Sequence, residues 1–190
     1  MQKIGSDPIS RVAVWTLLLL AVIGTGAAAA QPAQQPAAPT LGPQWRVLIG
    51  EWTGDGGGQP GSATGRTSYR FDVGDHAIIR RNHADVAATG GRPASVHEDL
   101  LVIYAGSKPG EAKALYVDNE DHVINYTAVW SADGKTLTFV SDVIPGAPRF
   151  RMVYKIQSAD SHVLDFEIAP PGAPDAFKLY VSGALKRTAR

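Results

Sequence analysis

From Glu51 onward, apolar residues recur at every second position, and glycine, proline, asparagine and aspartate break the pattern at short intervals. Such alternation marks a half-buried β-strand, because successive side chains point to opposite faces of the pleat. Thr67, Tyr69, Phe71 and Val73 alternate with Thr64, Arg66, Ser68, Arg70 and Asp72, which predicts a strand from Thr64 to Val73. A turn at Gly74-Asp75 leads into a strand over His76 to Val86. Further strands are expected over Val96 to Ala105, Ala112 to Asp118, His122 to Trp130, Lys135 to Val143, Arg149 to Ile156, His162 to Ile168 and Phe177 to Lys186. Asp133-Gly134 is a strong hairpin signal, since this dipeptide readily takes the positive φ that tight β-connections need. No later window has a helical period long enough to compete, so the class is all-β.

The first strand lies within Leu48 to Gly58. Trp52 shares its parity with Gly50, Gly54, Gly56 and Gly58, so one face carries a single large ring and otherwise no side chains. Glycine inside a strand marks a bend, a bulge or a close backbone approach. This stretch therefore predicts a strand that coils into a small barrel with Trp52 as its plug; a glycine-rich surface loop is the alternative. Before it, Leu41 to Ile49 places Pro43 at a first helical position and Trp45, Leu48 and Ile49 on one side, which predicts a short amphipathic helix capping the barrel.

The predicted fold is an antiparallel up-and-down β-barrel of about ten strands. Closure is favoured over a sandwich because hairpins follow one another without a long crossover, and a closed sheet has no exposed edges. Eight strands leave interior room for one small ligand, and ten leave more. A barrel filled by its own aromatic rings is the alternative.

The N-terminus has a different character. Lys3 and Arg11 flank an apolar run from Val12 to Ile23, and Ala28 to Ala30 offer a small-residue cleavage site before Gln31. Residues 1–30 thus read as a signal peptide, and the mature protein is expected to be periplasmic or secreted. Twelve apolar residues are short for a membrane span of about 20. Residues 31–42, rich in proline, alanine and glutamine, read as a disordered linker, with the barrel domain at 43–188.

The chain has no cysteine, so the core must hold an exported fold without disulfides. Of the 18 basic and 18 acidic residues, the leader contains Lys3, Arg11 and Asp7, which leaves 16 and 17. A mature charge of about minus one with no basic run argues against nucleic acid or an anionic membrane as partner. A small-molecule ligand remains the expected partner, with oligomeric state open.

Taken together, Gly50 to Gly56 with its central tryptophan, the short helix before it, the meander, the Thr64-Gly65-Arg66 to Asp75-His76 run, the Asp133-Gly134 hairpin and the closing Lys178 to Lys186 strand resemble the bacterial DUF1579 family. That family is related to lipocalin-like, calycin-type barrels, and the resemblance spans roughly residues 45–188. A more distant likeness is to nitrobindin-type haem barrels, which implies ferric haem held by a histidine of the last strand. Here that strand has no histidine, and Tyr180 is its one plausible ligand, so no cofactor is expected.

Candidate chemistry is sparse. His83 and Asp85, like His97 and Asp99, lie two apart and share a strand face, a spacing that permits a metal or proton-transfer site. No HxH or HExxH pattern accompanies them, and no metal is expected. If Leu100, Val102 and Tyr104 face inward, Glu98 does too, and it then needs a partner such as Arg81 or Arg70. The opposite register, with Leu101 and Ile103 inward, is nearly as apolar. The residues expected to line a binding site are Trp52, Tyr69, Arg81, His83, Glu98, Tyr116, Asn125 and Tyr126. No catalytic residue is assigned: Gly-Xaa-Ser-Xaa-Gly and phosphate-loop patterns are missing. The function expected is binding of a small apolar or amphipathic ligand; an enzyme built around Glu98, Arg81 and His83, or a solid envelope module, are the alternatives.

Overall fold

The computed structural model describes residues 40–55 and 63–189, so the expected leader, most of the linker, and Gly56 and Gly58 lie outside the described residues. A 3₁₀ helix, Pro43–Leu48, precedes ten strands: β1 (Gly50–Asp55), β2 (Ala63–Asp72), β3 (Ala77–Val86), β4 (Ser95–Ala105), β5 (Glu111–Asp118), β6 (Val123–Trp130), β7 (Thr136–Ser141), β8 (Arg149–Ser158), β9 (Ser161–Ala169) and β10 (Lys178–Ala189). Each strand pairs antiparallel with the next, and β1 pairs with β10 to close the barrel. Among the described residues no helix is long and apolar enough to cross a membrane.

One end of the barrel is closed by the helix and the aromatic rings beneath it. Trp45 and Leu48 are buried, and Trp45 meets Trp130 and Phe139 edge-on at 5.7 and 6.2 Å. Trp52 lies below them, fully enclosed, and its indole Nε1 donates a 2.8 Å hydrogen bond to the Leu48 carbonyl. Gly54, on the same face, leaves room for Leu185: a Cβ there would stand 3.0 Å from the leucine side chain. Arg187 of β10 seals the closure. Its guanidinium sits 4.1 Å over the Trp52 ring and donates to the carbonyls of Val47 (2.8 Å), Ile49 and Ala159 (2.7 Å).

His162 stacks against the Trp52 ring with 3.8 Å between centroids, and neither ring nitrogen has a hydrogen-bond partner among the described residues. Burial, with the nearby Arg187 charge, pushes its pKa down to about 4. An unfolded histidine takes up its proton near pH 6.5, so stability from this group is complete above that value and is lost as the pH falls toward 4, by up to about 3 kcal/mol. His162→Phe is expected to flatten this acid limb when urea unfolding is followed from about pH 7 to pH 4; an unchanged slope would rule out His162 as its source.

The buried residues of β4 are Asp99, Leu101 and Ile103, so Leu100, Val102 and Tyr104 face out. Glu98 is therefore on the outer surface. Arg81, His83 and Asn125 also face outward, each beside an inward neighbour: Arg80, Asn82 and Tyr126. The expected interior set of Glu98, Arg81 and His83 is corrected by this register, since a slip of one residue exchanges every side chain between faces.

Two strand ends differ from expectation. Val73 does not extend the apolar face of β2: the strand stops at Asp72, whose carboxylate accepts the Val73 N–H at 2.7 Å, and Val73 turns at φ 50° with 72% of its surface exposed. Val143 likewise lies beyond β7 and is exposed. At the linker boundary, Leu41 packs on the core.

Candidate functional site

Away from the closed end, the inner wall of the barrel divides by chemistry. β8 and β9 contribute Phe150, Leu164 and Phe166, half-buried apolar side chains packed against the core, with the Phe150 and Phe166 rings stacked at 5.9 Å. β2 to β5 contribute a polar wall. Alternation explains both, because each strand presents every second residue and β3 to β5 have polar residues at those positions.

The polar wall is organised by Arg80 and Asp99, a buried pair in which Arg80 Nη2 donates to Asp99 Oδ2 at 2.9 Å. Asp99 is only 1% exposed at its side chain. Arg80 Nε donates to Thr67 Oγ1 at 3.3 Å, and Asn82 Nδ2 donates to the same Asp99 oxygen at 3.0 Å. Such desolvated charges are tolerable only when paired and hydrogen-bonded. Burial opposes the Arg80 charge, but the Asp99 carboxylate together with the nearby Tyr154, Tyr69 and Tyr116 outweighs it and keeps the guanidinium firmly cationic. Below this layer, the hydroxyls of Tyr69 and Tyr154 share a 2.8 Å hydrogen bond, and burial raises the Tyr69 pKa further than Tyr154 alone would.

Toward the other end, Asp99 stands directly across from Asp118 on β5. Two like charges in register repel, so each needs its own partners. Asp99 has Arg80. Asp118 accepts from the Tyr116 hydroxyl at 3.1 Å, from the Glu120 and His122 backbone N–H groups at 2.9 Å, and has the His122 ring at 2.9 Å. Burial would raise the Asp118 pKa, but those hydrogen bonds together hold it below the usual carboxylate range. His97 bridges Asp99 and Glu120: its Nε2 lies 3.3 Å from Asp99 Oδ2 and 3.1 Å from the Tyr116 hydroxyl, and its Nδ1 lies 3.3 Å from Glu120. The Asp99 contact raises the His97 pKa above the ordinary histidine value, against burial. Burial also raises the pKa of Tyr116 and Tyr126, keeping both hydroxyls protonated.

Of the residues expected to line the site, Trp52, Tyr69 and Tyr126 are buried inside and Tyr116 stands on the polar wall. Arg81, His83 and Glu98 are together, but outside, along a shallow groove with Arg66 and Leu100. There His83 Nδ1 lies 3.1 Å from Glu98 and Nε2 lies 3.4 Å from Asp85. Asn125 is exposed on β6, away from both. Both histidine–aspartate pairs singled out by spacing do form, one inside the barrel and one outside. The interior residues missed were Arg80, Asn82 and Tyr154. One signal was available for the first: adjacent arginines on a strand must face opposite ways, so either Arg80 or Arg81 had to point inward.

The last strand offers no histidine for haem, and Tyr180, the ring that would take its place, is 67% exposed with its edge against Phe166. For a metal ion, His97, Asp118 and Glu120 each bring one ligand atom within 4.8 Å of the others.

No family model matches the chain, and no curated protein does. Among solved structures, the chain is similar to the crystal structure of Rv2717c from M. tuberculosis, with a TM-score of 0.56, 16% identity, and coverage of 78% of this chain and 99% of that one. At that identity the likeness establishes the barrel fold and nothing of its chemistry.

Proposed function

We propose that this domain binds a small amphipathic molecule in the half of the barrel away from Trp52. The observation that supports this is the divided inner wall: Phe150, Leu164 and Phe166 give a half-buried apolar surface, and the Arg80, Asn82, Asp99, His97 and Tyr116 network gives fixed polar groups. Pockets that orient a ligand combine mostly apolar walls with a few well-placed polar groups. We further propose membership of the DUF1579 family, on the Gly50 to Gly56 opening and the Asp133-Gly134 hairpin, and a periplasmic or secreted mature protein, on the apolar run and small-residue cleavage site within residues 1–30.

Native mass spectrometry of the exported protein tests the binding reading. A reproducible additional mass is expected, and Phe166→Ala is expected to reduce its retention about tenfold, the equivalent of losing roughly 1.4 kcal/mol of apolar contact. A protein that runs at its bare mass and fails to take up an amphipathic fluorescent probe would count against it. N-terminal sequencing of the same material is expected to begin at Gln31; a sequence beginning within residues 1–30 would overturn the proposed processing.

A further inference from the structure

We propose that the rim of the barrel at the β5–β6 turn is a binding site for one divalent transition-metal ion, of the zinc type, held by His97, Asp118 and Glu120 with His122 beside them. The first three place one ligand atom each within 4.8 Å of one another. His122 Nδ1 lies 2.9 Å from Asp118 Oδ2, which brings a second imidazole to the same carboxylate. Mixed imidazole and carboxylate donors suit zinc and its neighbours rather than calcium or magnesium, which prefer all-oxygen shells. A tetrahedral ion with bonds of about 2.0 Å needs ligand atoms about 3.3 Å apart. The His97 Nδ1 to Glu120 Oε1 separation is already 3.3 Å.

The cluster is built, not a chance gathering of surface acids. Asp118 Oδ1 accepts the backbone N–H groups of Glu120 and His122, which fixes the turn that carries them. Asn119 ties the turn to β4, accepting from the Glu98 N–H at 3.0 Å and donating to the Val96 carbonyl at 2.9 Å. Behind His97, Asp99 is almost wholly buried, with Oδ2 against His97 Nε2 and Oδ1 without a hydrogen-bond partner among the described residues. A buried carboxylate behind a histidine fixes the ring and makes its other nitrogen a better ligand, as outer-shell carboxylates do in metal sites. Charge points the same way: Asp99 is paired with Arg80, whereas Asp118 and Glu120 have only imidazoles against them in the ion pairs described.

The site shares His97 with the polar wall of the proposed ligand site, but metal binding needs no organic ligand, so it is tested by itself. The exported, processed protein, freed of metal with a chelator, is titrated with Zn²⁺ by calorimetry and with Co²⁺ by visible absorption. One ion per chain is expected, with the intense absorption of a low-coordinate cobalt site. Glu120→Gln and His122→Gln, both at largely exposed side chains, are each expected to weaken binding at least about tenfold and to diminish the cobalt spectrum. His83→Gln, on the outer face, is expected to change neither. Absence of stoichiometric binding, binding that survives the Glu120→Gln/His122→Gln double variant, or binding abolished by His83→Gln would each overturn the proposal.

Discussion

Trp52→Ala is expected to lower the unfolding free energy by about 3–5 kcal/mol, the range for removing a large ring from a packed core. The ring is fully enclosed, and three separate parts of the chain rest on it: the 3₁₀ helix through the Nε1 bond to Leu48, β9 through the His162 stack, and β10 through the Arg187 guanidinium. On its own strand face Trp52 is flanked by Gly50 and Gly54, so β1 itself has no side chain to fill the space. Urea unfolding followed by circular dichroism measures the effect. Trp52→Phe separates the contributions: it retains an aromatic ring but loses the hydrogen bond, and is expected to fall between the wild type and Trp52→Ala. A midpoint for Trp52→Ala within experimental error of the wild type would show that the closed end does not depend on this ring.

Asp99→Ala should cost as much, for an electrostatic reason. It leaves the Arg80 guanidinium buried with only Thr67 and the Met152 sulfur, at 4.0 Å, to receive it. Breaking one half of a buried pair costs about 3–5 kcal/mol, mostly because the surviving charge is uncompensated. Removing both charges is different. An Arg80→Met/Asp99→Leu double variant is expected to recover most of that loss, because apolar replacements of similar volume remove the desolvation penalty along with the attraction. Equilibrium unfolding of the two single variants and the double variant completes the cycle; a double variant as unstable as the sum of the singles would show that the pair does not act as a unit. His97 adds a contribution opposite in sign to that of His162: its raised pKa gives stability that is present below about pH 6.5 and fades as the pH rises through the higher folded-state value.

The barrel was legible in the sequence because its signals are local. Alternation along β2, β7 and β8, the Asp133-Gly134 turn and the glycine spacing around Trp52 each depend on residues a few positions apart. Even the capping segment could be read from Pro43, Trp45 and Leu48, although it forms a 3₁₀ helix. Val73 reads as a strand residue but lies beyond β2, because hydrophobic pattern alone does not show where a strand ends. There Asp72 caps the backbone of the next residue and the chain turns.

The interior was less legible. β4 reads as apolar on both faces over Leu100 to Tyr104, so periodicity could not choose between Glu98 and Asp99 as the inward carboxylate. The pairing partners decide it: with Leu101 opposite Arg80 and Asp99 opposite Asn82 on β3, Asp99 meets Arg80 on the inner face, and the burial of that pair excludes the other register. His97 and Asp99 could be seen as a pair from their spacing, but Asp118 and Glu120 join them only because β4 and β5 are adjacent in the sheet. Strand count, turn positions and the plug at Trp52 were thus determined by the sequence alone, through periods of two and turn residues that act over a few bonds. Which charges lie inside was decided only by the closed tertiary structure, because facing inward is a property of strand register, and register is set by neighbours distant in the chain.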